Sequence, residues 1–550
     1  MLKEWIVTLH RKEDLESFYG DMETPGGNLF IPNRAVEVVN RRLISRNTHY
    51  MLTYDEAQML KADDRVWDVE LAELIDITTR PAGYTITNGQ FDKQWAADVN
   101  DKNWGLLRQS ESANRANWGD DGTSTITSNL TVTASGKNVD VVIFDGHIDP
   151  AHPEFAVNPD GSGGSRVVQY NWFQNNIGSG TGTYVYTPYV DGSNAQRTSD
   201  NNHGCHVAGT VAGNTQGWAR DANIYNISIY STNPNNGSVG LSSSTYWDYV
   251  RAWHISKPIN SATGRKNPTI TNHSYGSSIT LGADNFGNAT RAVYRGVDFN
   301  PGRNLTVAEL RARGFYADSI NATVPYYFTA READIQDAIS DGIIVVVAAG
   351  NDYWKIVNNS DQDYNNVFYA TYFGTNYTWN TNRGTGSGAG YAPVITVGAV
   401  SNNRLENKAS FSNCGSQVDI FAAGEAIQSS LHSGASNDPR NSSYQLGKYQ
   451  GTRMASPQVA GILALLAESW PNMTQAEAQT WLINNANQNQ MLDTGTDDSM
   501  DTSSLQGAAN LFARWINQRA ITGSTFPQKN FSARPTTGLA YPRVRIRKRG

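Results

Sequence analysis

Two segments of the sequence place a carboxylate and an imidazole where they could serve acyl-transfer chemistry. Asp145 directly follows the apolar run 139–144, and a carboxylate at the end of a buried strand can orient an imidazole and stabilise its charged form. His203 precedes a glycine-containing segment that is typical of a closely packed helix, so we expect its imidazole to act as a general base. A third segment, residues 451–457, reads Gly-Thr-Arg-Met-Ala-Ser-Pro. These three segments are the candidate reaction site.

Apolar stretches predict the elements that hold these segments in place. Residues 139–144, 343–347 and 394–400 are near-continuous apolar runs of strand length, which is typical of parallel strands buried on both faces. Residues 459–470 are apolar almost all round, which indicates a helix buried in the middle of a domain. The pattern therefore predicts an α/β fold with a parallel sheet covered by helices on both faces.

The beginning of the chain has a different pattern. Strands are expected near 5–10 and 66–71 and a helix near 11–21. A second helix should start where Thr53 and Glu56 form a Thr-x-x-Glu capping box. We therefore predict a small α+β domain at 1–76.

Composition shifts divide the rest of the chain. Residues 77–122 are rich in Thr, Gly, Asn and Asp, which predicts a surface linker. The α/β domain is then assigned to 123–519, and residues 520–550 form a basic C-terminal extension. Alternation at 543–547 predicts an edge strand with a basic face. A solvated tail and a docking segment for an acidic partner or nucleic acid both remain open.

Composition excludes several classes of protein. The 550 residues are 39% hydrophobic and 17% charged, which excludes a membrane-spanning chain and argues against charge-driven disorder. A net charge of -7 excludes bulk electrostatic binding of nucleic acid, the basic extension apart. Two cysteines are too few for a four-cysteine zinc site. The N-terminus lacks the apolar region of a secretory signal, so we expect a cytoplasmic or virion location and no membrane partner.

The order of the three candidate segments, aspartate first, then histidine, then residues 451–457, resembles the subtilisin family of serine proteases over roughly residues 135–515. Residues 348–351 (Ala-Ala-Gly-Asn) agree with this resemblance. It implies a subtilisin-like fold in which Asn351 donates a hydrogen bond to the reaction oxyanion. It also implies that the domain at 1–76 is an inhibitory prosegment.

The resemblance further implies a substrate-pairing edge formed by Ser274, Tyr275 and Gly276. Tyr275 stands where the family usually has leucine. Two long insertions, near 277–330 and 352–392, are expected either to be binding loops or to decorate the surface.

The candidate site departs from the family at the nucleophile. The family motif reads Gly-Thr-Ser-Met-Ala-Ser-Pro, and Arg453 stands in place of its first serine. A guanidinium offers only donors and cannot attack a carbonyl carbon, so we predict a pseudoprotease with effectively no proteolysis. We also expect an Arg453 nitrogen within about 4 Å of the carboxylate of Asp145 or Asp149, because an unpaired charge in a cleft is costly.

Neither of two nearby residues replaces the missing nucleophile. Ser456 lies one helical turn, roughly 5 Å, further along the chain, so a structural role is expected for it. Cys205 should face a different side of its helix from His203 and is expected to be a buried apolar side chain.

No metal or cofactor is predicted. His147 replaces a family glycine and is either a hydrogen-bonded loop histidine or a metal ligand with His203 or Asp149. Family members often bind calcium, but no acidic loop in this sequence compels it.

The sequence therefore predicts an inactive subtilisin-like protein that is a structural or binding component of a larger assembly, with a phage virion as the setting. Its partners are expected to be other protein subunits, bound through the insertions and the basic C-terminus. One alternative is an active serine endopeptidase that hydrolyses peptide bonds, which applies if position 453 is natively serine. Another is a peptide-binding module that uses the old cleft.

Overall fold

A computed structural model describes most of the chain. The described residues are 2–31, 37–41, 46–71, 83–96, 98–116, 118–119, 123–172, 199–229, 243–276, 278–282, 288–315, 321–325, 329–372, 374–380, 382–383, 393–434, 436–493 and 504–517. The basic extension predicted at 520–550 lies outside them. Strands and helices are numbered below in chain order.

The N-terminal residues form a four-stranded antiparallel sheet with two helices. The strands, in the spatial order β2-β3-β1-β4, are β1 (Lys3–Leu9), β2 (Glu37–Arg41), β3 (Asn47–Leu52) and β4 (Val66–Leu71), and the helices are α1 (Leu15–Glu23) and α2 (Tyr54–Leu60). Both hydrogen bonds of the predicted capping box between Thr53 and Glu56 are present at the start of α2. Trp5, Phe18 and Leu60 lie in one buried cluster between the sheet and the helices. The predicted small N-terminal sheet domain is confirmed.

The linker prediction is wrong for the described residues between 84 and 118. These residues and the strand after them form a three-stranded sheet of order β6-β5-β7 and a short helix, namely β5 (Tyr84–Asp92), β6 (Asp101–Asn103), α3 (Trp104–Arg108) and β7 (Thr125–Val132). Phe91 and Trp104 are fully buried, and they lie in the same hydrophobic core as the buried helix predicted at 459–470. A register shift between Ile86 and Gly89 interrupts the alternation of buried and exposed residues along β5. Because turn-forming residues occupy this position, the sequence pattern did not indicate a strand.

A nine-stranded sheet forms the centre of the large domain. Its strands are β8 (Asp140–Asp145), β9 (Val167–Val168), β10 (Asn223–Ser228), β11 (Thr269–His273), β16 (Ile344–Ala348), β19 (Ile395–Val400), β20 (Ile420–Ala423), β24 (Asn487–Gln488) and β25 (Leu511–Phe512). Their spatial order is β24-β25-β20-β19-β16-β11-β8-β10-β9, and every neighbouring pair is parallel except β24 with β25. The predicted parallel sheet is confirmed.

Helices cover both faces of this sheet. They are α4 (Ser199–Ala212), α5 (Ser243–Ser256), α7 (Thr329–Ser340), α8 (Thr452–Ser469) and α9 (Gln475–Asn485), whereas the short helix α6 (Val307–Arg311) belongs to the first predicted insertion. Alternate side chains of β8 enter different cores, because successive residues of a strand point to opposite faces. Ile143 packs in the cluster that contains residues of α4 and α8, whereas Phe144 packs in the cluster that contains Trp247 of α5 and Ile335 of α7.

The two predicted insertions share one sheet. Their strands are β12 (Ser278–Gly282), β13 (Arg291–Tyr294), β14 (Val297–Phe299), β15 (Asn321–Pro325), β17 (Val367–Tyr372) and β18 (Thr375–Asn380). Antiparallel pairing of β13 with β17 joins the first insertion to the second in a four-stranded sheet of order β14-β13-β17-β18. A further antiparallel sheet, formed by β21 (Ile427–Leu431), β22 (Ser436–Asp438) and β23 (Asn441–Tyr449), packs against α4.

Candidate functional site

The carboxyl end of β8 and helix α4 bring Asp145 and His203 together. His203 Nδ1 lies 2.7 Å from Asp145 Oδ1, which also accepts a 2.7 Å hydrogen bond from the Gly146 N–H. Asp145 is fully buried, whereas the His203 side chain is 19% exposed. Because the carboxylate accepts from Nδ1–H, the neutral imidazole carries its lone pair on Nε2. The pair therefore has the arrangement of an oriented general base.

The start of α8 is tied to the loop after β16. Asn351 Oδ1 accepts hydrogen bonds from the Thr452 N–H at 2.9 Å and from Thr452 Oγ1 at 2.8 Å. These bonds fix the side-chain amide and turn Nδ2 away from Thr452. Gly451 has φ +145°, and a Cβ placed on it would lie only 3.0 Å from Asn351 Nδ2. Glycine is required at this position both by the backbone conformation and by the close approach of the amide.

The predicted contact of Arg453 with the carboxylate of Asp145 or Asp149 is wrong. Among the described residues, Arg453 forms no ion pair within 4.0 Å of Asp145 or Asp149. Asp149 is fully buried and has an oxygen 3.3 Å from His432 Nδ1 instead. The two candidate carboxylates are therefore already engaged in packed histidine contacts, and Arg453 does not reach them.

The carboxylate of Asp352 interacts electrostatically with Arg453. Burial raises the pKa of Asp352 to about 6, although the positive charge of Arg453 acts in the opposite direction. The two groups are close enough to interact electrostatically but form no ion pair within 4.0 Å. The sequence patterns did not single out Asp352, and the available signal was its position directly after Asn351.

Ser274 supports the backbone of the helix start. Its Oγ donates a 2.8 Å hydrogen bond to the Arg453 carbonyl and lies 3.0 Å from Ser456 Oγ. Ser456 is fully buried, so its hydroxyl is held beneath the helix start and is not exposed in the cleft. This geometry agrees with a structural role for Ser456.

The other two residues of the predicted substrate edge lie differently. The Tyr275 hydroxyl is 3.1 Å from His273 Nδ1, and its ring packs against the core on the α5 face of the sheet. Burial raises the pKa of the Tyr275 phenol. Gly276 is exposed. A peptide at this edge would therefore meet the backbone of the segment rather than the tyrosine side chain.

Cys205 and His147 lie close to the aspartate segment. Cys205 is fully buried and accepts a hydrogen bond from the Asp149 N–H, and burial raises the pKa of its thiol, which disfavours the thiolate. His147 is also buried, and burial lowers its pKa to about 4, so the ring is neutral near pH 7. The part of the chain that the structure describes contains no group of three or more histidine, cysteine or acidic side chains arranged to hold a metal ion.

Residues 136–506 match the sequence pattern of the Subtilase family, Peptidase S8. The chain belongs to the subtilase family. It is 27% identical to subtilisin of Bacillus pumilus over 352 residues, which cover 64% of this chain and 85% of that protein. Subtilisin E of Bacillus subtilis (strain 168) is 26% identical over 352 residues, but the match covers only 61% of its length.

A solved structure of a cold adapted subtilisin-like serine proteinase is 19% identical to this subtilase and has a TM-score of 0.41. The match covers 76% of this chain and 98% of the other. Within the described part of the subtilase, no helix combines the length and the apolar character needed to cross a membrane.

Proposed function

We propose that this subtilase is a pseudoprotease, an inactive member of its family that retains the cleft as a binding surface. The observation that carries the proposal is Arg453 at the start of α8, where the family motif has its nucleophile. Asp145 and His203 form a hydrogen-bonded carboxylate–imidazole pair that could act as a general base. A guanidinium, however, has no proton that the imidazole can remove to make a nucleophile. In subtilisin, loss of the nucleophile lowers kcat about 2 × 10⁶-fold.

The neighbouring groups do not restore activity. Ser456 is buried against Ser274, and the Cys205 thiol is buried and held in its neutral form. Within the described residues, neither side chain is presented to His203 as a nucleophile. What remains is a base and a hydrogen-bond donor without a group to acylate.

A fluorophosphonate probe tests this proposal because it labels only an activated nucleophile. We expect no labelled adduct on the wild-type chain and a labelled serine in Arg453→Ser, since that substitution supplies a hydroxyl beside an existing base. The double variant R453S/H203A should lose the label again. Labelling of the wild-type chain, abolished by His203→Ala, would show that this subtilase is an active serine endopeptidase and would overturn the proposal.

We further propose that the protein acts within a larger assembly of protein subunits, with a phage virion as the setting. The supporting observation is that β13 of the first insertion pairs with β17 of the second, so that both insertions contribute strands to one four-stranded sheet. Most residues of β18, at the edge of that sheet, are exposed. Purified particles separated on a density gradient should contain the intact chain in fixed stoichiometry, whereas its absence from them would contradict this setting.

A further inference from the structure

Three donor groups at the start of α8 have no partner within the part of the chain that the structure describes. The Arg453 backbone N–H, the Arg453 guanidinium and Asn351 Nδ2 make no hydrogen bond or ion pair with any described residue. Arg453 is partly exposed, so this residue remains accessible to a ligand. Polar donors that lack an acceptor in the folded chain are expected to take one from water or from a ligand.

The backbone N–H and the amide flank one small space. A Cβ added to Gly451 would lie 3.0 Å from Asn351 Nδ2 and 3.5 Å from the Arg453 nitrogen. Since Asn351 Oδ1 is held by Thr452, the amide presents its N–H side to this space. An oxygen near this space would therefore meet a backbone donor and a side-chain donor at once.

The guanidinium changes which ligand this space favours. A serine at position 453 would stabilise only a transient oxyanion, but arginine adds a permanent positive charge with a planar set of donors that matches a carboxylate. The arginine side chain is also much longer than serine, so a peptide that continued past position 453 would have to displace it. A bound chain would end at this residue.

We infer that the donor site formed by Arg453 and Asn351 binds the free C-terminal carboxylate of a peptide. This inference rests on the proposed function, because it assigns a ligand to the cleft that an inactive subtilase retains as a binding surface. The preceding residues of the peptide would lie along the backbone at 274–276, where Gly276 is exposed. The old catalytic centre thus becomes a receptor for chain ends.

Asp352 opposes the ligand. Its carboxylate interacts with Arg453 but does not form an ion pair with it, and its ionised form at neutral pH repels an incoming carboxylate. Removal of this charge should therefore strengthen binding, which is opposite to the effect of removing Arg453. If substitutions of Asp352 and Arg453 only disturbed the structure, they would not change the affinity for a carboxylate in opposite directions.

Fluorescence anisotropy on the full-length chain tests the inference. The probes are dye-labelled tetra-alanine peptides that end either in a free carboxylate or in a carboxamide. We expect the acid to bind at least tenfold more tightly than the amide, R453Q to abolish that preference, and D352N to tighten binding of the acid. Arg11→Gln, which removes the same charge from an exposed position with an Asp14 partner, is the matched control and should change nothing.

The outcomes separate this inference from the proposed function. Equal binding of acid and amide, or binding of neither, would overturn the carboxylate site while leaving the absence of hydrolysis intact. Cleavage of the peptides by the wild-type chain would overturn both. A preference for the acid that survives in R453Q would assign the carboxylate to a different group and would also overturn the inference.

Discussion

At the scale of single residues, Arg453 acts electrostatically on Asp352. Burial raises the pKa of Asp352 and the guanidinium lowers it, with a net value of about 6. Arg453→Gln should therefore raise this pKa above about 6, and a carboxyl-detected NMR titration of the full chain would measure the change. Arg11→Gln should leave the titration unaltered. An unchanged Asp352 pKa in R453Q would show that the guanidinium lies elsewhere in solution.

The sign of the effect on stability follows from the same shift. The folded-state pKa of Asp352 lies above its ordinary value of 3.8, so the folded chain favours the protonated form. This contribution to stability is fully present below about pH 3.8 and is lost as the pH rises through about 6.

Residue types revealed the reactive groups but not all their partners. The strand-end position of Asp145 and the placement of His203 were sufficient to anticipate their pairing, because a buried strand fixes where its last side chain points. The partner of Arg453 could not be anticipated in the same way. It depends on which loops meet at the start of α8 and on the rotamer of a long side chain, and neither is encoded in local pattern.

At the scale of elements, Glu154 holds three segments together. This fully buried carboxylate accepts from the Thr215 N–H at 3.0 Å and from the Thr215 hydroxyl at 2.6 Å, and it pairs with Arg440 in the turn between β22 and β23. Burial alone would raise the pKa of Glu154, but Arg440 and the Thr215 bonds outweigh it and lower the pKa to about 2. Glu154 therefore stabilises the fold mainly in its ionised form.

Glu154→Gln should lower the free energy of unfolding at pH 7 by about 3 kcal/mol, because Arg440 loses one of its two carboxylate partners. Since the folded pKa lies below the ordinary value of 4.5, the wild-type contribution is present above about pH 4.5 and is lost as the pH falls towards about 2. Urea unfolding across this range should show the two proteins converging in stability at low pH. A constant difference down to pH 2 would contradict the assignment.

The segment 84–118 is attached to the large domain by a buried ion cluster. Glu406 Oε1 lies 2.9 Å from Lys93 Nζ, and Glu406 Oε2 lies 2.8 Å from Arg108 Nη2, with all three side chains no more than 2% exposed. Glu406→Gln removes the anion shared by two buried cations. We expect a loss of about 3–5 kcal/mol in unfolding free energy, measured by urea denaturation.

Glu309→Gln is the matched control for this cluster. Glu309 pairs with Arg303 at 2.8 Å, but the Arg303 side chain is 55% exposed. A solvent-exposed ion pair contributes little to stability, and a glutamine can still accept the capping-box hydrogen bond from the Thr306 N–H, so this variant should be nearly neutral. Equal losses in the two variants would contradict a special role for the buried cluster.

Elements with a regular pattern of apolar residues or a capping motif could be predicted from the sequence, and elements without such a pattern could not. The strands β8, β16 and β19 are near-continuous apolar runs, and the start of α2 carries the capping box that the sequence pattern predicts. The segment 84–118 has turn-forming residues inside its strand, and its burial comes from aromatic side chains that pack against distant parts of the chain. Such tertiary packing has no local signature.

At the scale of the whole molecule, the pairing of the two insertions was beyond sequence analysis. Strands β13 and β17 are separated by more than seventy residues, and nothing in either segment specifies the other as its partner. Their register brings Ala292 opposite Phe368, which is fully buried and lies 5.3 Å from the Phe315 ring in an edge-on contact. The length of the insertions indicated an additional surface, but only the folded chain shows that they make a common one.

The proposed inactivity also determines how the whole chain matures. The resemblance implies that an active member would release the predicted prosegment at 1–76 by self-cleavage, and a chain with Arg453 lacks the nucleophile for that cut, so this domain should stay covalently attached. Mass spectrometry of the purified wild-type protein should find no chain cut between the N-terminal domain and β5. Arg453→Ser should release an N-terminal fragment, and R453S/H203A should remain whole, because the new hydroxyl then has no base. A cut at the same place in the wild type and in R453S/H203A would assign the cleavage to another protease. A cut in the wild type that His203→Ala prevents would show that the chain processes itself without a serine at 453.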